Sequence, residues 1–203
     1  MTQADSDKTF GPSAVLTPAN VITLVRLLLS PLVFWAIIAK GSGWLLFAGW
    51  VAITASDSLD GWLARKQGTT RSGAFLDPLA DKVLALGGLW AVVIAEWTQS
   101  GANAPKVTYW FIPVLLITLR EALISGFRSF WARRGLAVQA SNIAKAKTFL
   151  QFSSVSLVVW PWTNPYPWMA TVCLWLAVAV AWVSAAQYIH AGSRATSMGE
   201  GAR

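Results

Sequence analysis

Six stretches of this chain are each about 20 residues long, mostly apolar, and separated by short polar or glycine-bearing connections. A helix needs about 20 such residues to cross the hydrocarbon of a bilayer, where every backbone amide must find its partner inside the segment. The stretches run from about 20 to 39, 44 to 64, 77 to 97, 107 to 131, 141 to 160 and 168 to 190. The expected fold is therefore all-α, a polytopic membrane domain of six transmembrane helices over residues 18–192. A disordered tail (1–17) is expected before it and a C-terminal tail (193–203) after it. Segments five and six are divided by PWTNPYP, a tight turn with interfacial aromatics beside it.

Composition agrees. Charged residues make up 12% of the chain, half the usual share of about 25%. The net charge of +7 would suit nucleic acid in a soluble protein, but here the cations sit in connections. Arg65, Lys66 and Arg71 follow segment two, while Arg128, Arg133, Arg134, Lys145 and Lys147 surround the connection between segments four and five. The opposite side has only Lys40 and Lys106. The positive-inside rule then places both termini in the cytoplasm, with anionic headgroups rather than nucleic acid as the partner. The N-terminus lacks the cationic start and apolar run of a signal peptide. The single cysteine, Cys173, lies in an apolar run and offers neither a disulfide framework nor a thiolate cluster.

The chain has nine acidic residues, and four of them fall in one short stretch, DSLDGWLARKQGTTRSGAFLDPLAD. Asp57 and Asp60 are three apart and Asp77 and Asp81 four apart, so each pair shares a helix face. The helices are consecutive, with a connection of about a dozen residues expected, and should pack antiparallel so that four carboxylates converge. Such a cluster beside a low-dielectric phase is costly unless cations neutralise it. Arg65 and Lys82 offset part of the charge, and hard divalent cations would offset more. The lone histidine, His190, is far along the chain, which argues against zinc. There are plainer readings: Asp77 followed by Pro78 has the form of a helix N-cap, and Asp60 has Arg65 for an ion pair. Gly61, Ala64 and Gly73 leave room for a base or phosphate to approach the backbone, or equally for close helix packing.

These residues resemble the signature of the CDP-alcohol phosphotransferases, D-x2-D-G-x2-A-R followed by G-x3-D-x3-D. Here it reads Asp57, Asp60, Gly61, Ala64, Arg65, Gly73, Asp77 and Asp81. The family spacer between Arg and the second Gly is usually eight residues; here it is seven, Lys66 to Ser72. NVITLVRLLLSPLVF (20–34), LREALISGFR (119–128), AKAKT (144–148) and AAQYIHA near the end are similar to the members that use glycerol 3-phosphate as acceptor. The resemblance implies six transmembrane helices, often in a homodimer, with the active site facing the cytosol, here in a bacterial inner membrane. It implies two divalent metal ions, Mg²⁺ or Mn²⁺, held by Asp57, Asp60 and Asp77, with Asp81 as general base and further ligand. Gly61, Ala64, Arg65 and Gly73 match the CDP-lipid positions, and CDP-diacylglycerol and glycerol 3-phosphate are the implied substrates.

An acceptor phosphate calls for fixed cations. Arg120 lies within an apolar segment beside Glu121, with Arg128 eight residues later and Lys145 and Lys147 opening segment five. The alternative is a structural Arg120–Glu121 network with lysines reaching to the headgroups. Arg26 is a weaker candidate for either substrate. Other acceptors (inositol phosphate, serine, phosphatidylglycerol) leave the aspartates unchanged. A membrane prenyltransferase would need more helices than this chain supplies. A cation transporter would carry polar residues across the outer halves of segments two and three, which are apolar.

Overall fold

A computed structural model describes residues 17–39, 43–67, 71–100, 105–133, 143–161 and 167–200; within the helices, the side chains of 57–67, 71, 74, 100, 105–107, 132–133, 143–145, 167 and 191–200 are outside the description. It is all-helical, in the order α1 (Pro18–Ile38), α2 (Trp44–Gln67), α3 (Arg71–Ser100), α4 (Pro105–Arg133), α5 (Ile143–Val158) and α6 (Pro167–Glu200). Four helices are long and apolar enough to cross a membrane, over Pro18–Ile38, Phe75–Gln99, Thr108–Trp131 and Trp168–His190. Six such spans are expected from the sequence. Among the described residues, α2 offers only Trp44–Ser56 as an apolar run and α5 has 16 residues, about 24 Å of helix against a hydrocarbon layer of about 30 Å. Helix α5 stops before Trp160 because Pro161 disfavours helical backbone at the residue before it. Helix α6 continues to Glu200, so residues 193–200 of the expected C-terminal tail are helical.

The second and third helices also differ from their expected limits. Only residues 68–70 separate α2 from α3, not a dozen. Pro78 lies inside α3, which rules out the N-cap reading of Asp77.

The helices form two compact units, one of Met1–Ala95 with Val159–Asn164, the other of Glu96–Val158 with Pro165–Arg203. In the first, α1 starts on a Thr17 cap whose Oγ accepts from Asn20 N (3.2 Å), with proline at the first helical position. Apart from Ala19 and Ile37 its buried side chains are polar, Asn20, Thr23, Arg26 and Ser30, while Val25, Leu28, Leu32 and Trp35 face outward. That is the reverse of a soluble helix and suits a lipid surround. Pro31 deprives the Leu27 carbonyl of its usual donor, and Ser30 Oγ supplies one at 2.9 Å. Trp44, Phe47 and Trp160 stack edge to face, Phe47 and Trp160 with centroids 4.8 Å apart.

In the second unit α6 packs against both α4 and α5. Its buried stripe is Ala170, Leu174, Ala177, Ala181 and Ser184, spaced four and three residues alternately. Small residues on one face let neighbouring backbones approach closely, the usual basis of helix association in lipid.

Candidate active site

The site is built first from α3. Asp77 and Asp81 are one helical turn apart, and α1 approaches both. Asn20 Nδ2 donates to Ser72 Oγ (2.8 Å), Thr23 Oγ1 donates to Asp77 Oδ1 (3.2 Å), and Arg26 Nη1 lies 3.9 Å from Asp81 Oδ1. The contacts advance along both helices in the same sense, so α1 and α3 run parallel. Arg26 is 1% exposed at its side chain and Asp81 46%. One carboxylate therefore stays open to incoming groups while its cationic neighbour is fixed inside. Gly73 is buried one turn before Asp77.

The side chains of Asp57, Asp60, Gly61, Ala64 and Arg65 lie outside the described residues, but the α2 backbone that carries them does not. The buried Trp50 ring of α2 rests on Gly88 of α3, so tightly that a Cβ on Gly88 would be 2.4 Å from Trp50 Cη2. Trp50 is 17 residues before the end of α2, and Gly88 is 17 residues after the start of α3. With three residues between the helices, the pair forms an antiparallel hairpin in equal register. At about 1.5 Å per residue, positions 57 and 60 lie about 10 and 15 Å from that contact, and positions 81 and 77 about 10 and 16 Å. The four motif positions thus occupy similar depths along the hairpin. Oxygen donors alone are present in the described part of the set (Asp77, Asp81, Thr23), a chemistry that fits Mg²⁺ or Mn²⁺ rather than zinc.

A second charged group lies in the other unit. Arg120, 5% exposed, donates from Nε to the Ala181 carbonyl (3.0 Å), from Nη1 to Glu121 Oε1 (2.8 Å) and from Nη2 to Ser184 Oγ (3.2 Å). Lys147 Nζ donates to the same Glu121 oxygen. The Arg120–Glu121 network weighed from the sequence is thus present, and it extends to Lys147 and α6. Arg128 is exposed and about two turns further along α4, and eight residues at 100° each turn it about 80° from the Arg120 face. The Lys145 side chain lies outside the described residues.

Three participants were not singled out from the sequence: Asn20, Thr23 and Ser184, the last accepting from Arg120 Nη2. A signal for the first two exists. Asn20, Thr23, Arg26 and Ser30 are spaced three, three and four apart in an otherwise apolar segment, which draws one polar stripe down a helix.

Residues 16–183 match the sequence profile of the CDP-alcohol phosphatidyltransferase family. The chain is a member of that family. Among its relatives, the CDP-diacylglycerol–glycerol-3-phosphate 3-phosphatidyltransferase of Rickettsia felis is 34% identical over 146 residues, 69% of this chain and 73% of the relative. The protein of the same name from Haemophilus influenzae is 36% identical over 142 residues, covering 66% and 70% of the two chains. A probable phosphatidylglycerophosphate synthase of Mycobacterium tuberculosis is 30% identical over 196 residues, 92% of this chain and 87% of its own. The family match takes in the Thr17 cap and the polar stripe of α1 as well as the aspartate motif.

Proposed function

We propose that this phosphatidyltransferase moves the phosphatidyl group of CDP-diacylglycerol onto glycerol 3-phosphate, releasing CMP and forming phosphatidylglycerophosphate. The observation that carries the reading is the equal-register α2–α3 hairpin, which brings the family's aspartate positions to one depth with Asp77 and Asp81 each approached by a polar α1 side chain. The relatives' names supply the acceptor.

In this reading Asp57, Asp60 and Asp77, with a share from Asp81, hold two Mg²⁺ or Mn²⁺ ions, whose chemistry is to neutralise charge on the diphosphate. Gly61, Ala64, Arg65 and Gly73 hold the cytidine nucleotide. Asp81, the exposed carboxylate, takes the proton from the acceptor's primary hydroxyl as that oxygen attacks the phosphorus bearing the diacylglycerol. A new P–O bond forms, the bond to the CMP phosphate breaks, and CMP leaves with the electron pair. Arg120 and Lys147, with Lys145 and Arg128, receive the acceptor's phosphate.

The topology follows the cation distribution. All six helices cross a bacterial inner membrane, with both termini and the aspartates on the cytoplasmic side, and two copies associate as a homodimer. The polar last third of α2 is then the site itself, and its brevity as an apolar span is the consequence.

The test gives purified protein CDP-diacylglycerol, Mg²⁺ or Mn²⁺, and glycerol 3-phosphate, serine, inositol phosphate or phosphatidylglycerol, reading CMP release. Release with glycerol 3-phosphate alone is expected. Release with serine but not glycerol 3-phosphate would overturn the acceptor assignment, and no release with any acceptor would overturn the reaction.

A further inference from the structure

Resting on that acceptor site, we infer that Glu121 is its resident anion and that it restricts the acceptor to phosphomonoesters. One carboxylate oxygen, Oε1, is shared by the Arg120 guanidinium and the Lys147 ammonium. Those side chains are 6%, 12% and 11% exposed for Arg120, Glu121 and Lys147. A single oxygen on two cations has the form of one phosphate oxygen, and here Glu121 supplies it. The cations cannot simply follow a new ligand elsewhere, because Arg120 is also tied to α6 through the Ala181 carbonyl and Ser184.

The charges decide what can displace the carboxylate. Arg120, Lys147 and Glu121 together carry one net positive charge. A phosphodiester or a carboxylate brings one negative charge, no more than Glu121 already gives, so exchange gains nothing to offset desolvation of the incoming group. A phosphomonoester is mostly dianionic at neutral pH, its second pKa being about 6, and offers three strong acceptor oxygens. Among the described residues three of the five N–H groups of Arg120 are taken, by Ala181, Glu121 and Ser184; a dianion has oxygens for the others, and it attracts Lys147 more strongly than Glu121 does. Glu121 thus excludes serine-type and phosphodiester acceptors by occupying the place a monoanion would take. Specificity comes from a competitor built into the site.

The experiment uses the full chain in detergent with saturating CDP-diacylglycerol and Mn²⁺, reading CMP release. Two non-reacting probes compete with glycerol 3-phosphate at about pH 8: inorganic phosphate, there largely dianionic, and dimethyl phosphate, a monoanion. In the native protein only inorganic phosphate should compete. In Glu121→Gln, which keeps the shape and loses the charge, KM for glycerol 3-phosphate should fall about tenfold, equivalent to ~1.4 kcal/mol, and dimethyl phosphate should begin to compete. Glu121→Asp, whose shorter reach cannot bridge both cations, should shift both readings in the same direction by less; it decides the matter if the Gln variant does not fold. Unchanged or raised KM in the folded variants overturns the inference, as does dimethyl phosphate competing equally well with the native protein. If Lys147→Ala leaves KM for glycerol 3-phosphate unchanged, the acceptor-site reading itself fails, and that result is separable from the Glu121 outcomes.

Discussion

Gly88→Ala is expected to destabilise the protein more than Gly87→Ala, although the latter makes the closer contact. A Cβ on Gly87 would lie 2.3 Å from Phe34 Cε2, and one on Gly88 2.4 Å from Trp50 Cη2 with Cζ3 at 2.9 Å. Both distances require something to move. Phe34 is only partly buried and can swing its ring toward lipid, whereas Trp50 is 0% exposed and has nowhere to go. Overpacking a closed site costs about 1–3 kcal/mol, while alanine in place of glycine in a helix interior returns about 1 kcal/mol. The net for Gly88→Ala is a loss of up to about 2 kcal/mol, since its fixed neighbour puts the cost near the top of that range, and for Gly87→Ala roughly zero or slightly favourable. Thermal unfolding in detergent reads this, at about 2–4 °C per kcal/mol for a chain of this size. Trp50→Leu removes the ring atoms that clash, so Gly88→Ala should cost less in that background, a coupling of the opposite sign to simple additivity. Because the same contact sets the α2–α3 register, CMP release should fall with Gly88→Ala even at temperatures where the protein stays folded. Equal melting points for the two glycine variants, or additive behaviour with Trp50→Leu, would refute the packing argument.

Asp81→Asn should lower turnover by orders of magnitude while CDP-diacylglycerol binding persists, measured by CMP release and by equilibrium binding of the CDP-lipid; retained turnover would remove Asp81 from the role of base. Thr23→Val, which deletes the 3.2 Å bond to Asp77 at constant volume, should weaken Mn²⁺ binding several-fold by calorimetric titration, with Thr23→Ser restoring it. Arg120→Lys should lower the melting temperature and raise the acceptor KM together, since an ammonium cannot serve the Ala181, Glu121 and Ser184 acceptors at once; the lost buried bonds are worth about 1–3 kcal/mol. Chelation with EDTA should abolish CMP release, and added Mg²⁺ or Mn²⁺ should restore it.

The aspartate motif was legible because its information is local: spacings of three and four on a helix depend on nothing but the helix. The ends of α2 and α3 were not, for a reason that lies in what hydropathy measures. Leu63, Ala64, Arg65, Lys66 and Gln67 are polar on average yet all strong helix formers, so the helix continues where the apolar run stops. Pro78 resembled a helix start, but a proline inside a membrane helix is tolerated when neighbouring groups satisfy the freed carbonyl, as Ser30 does for Leu27 in α1. The partners of Arg120 were beyond reach because Ser184 and the Ala181 carbonyl are more than 60 residues away, and nothing in α4 points to them.

Helix α1 shows the same division more sharply. Its polar stripe was visible as a spacing, yet only the fold reveals that the stripe is directed at Ser72, Asp77 and Asp81 rather than at a substrate alone. Burying Asn, Thr and Arg in a helix whose outer face is Val, Leu and Trp is expensive in lipid, and such groups persist where they have charged or polar partners to serve. Arg26 has such a partner in Asp81. A cation fixed beside a carboxylate that is itself half exposed holds that carboxylate in place while leaving its outer side open to an acceptor hydroxyl. Arg26 is on this argument a positioning residue: Arg26→Met should lower kcat with little effect on the KM for CDP-diacylglycerol, Arg26→Lys should recover part of the loss, and an effect confined to that KM would instead place Arg26 in the CDP-lipid site.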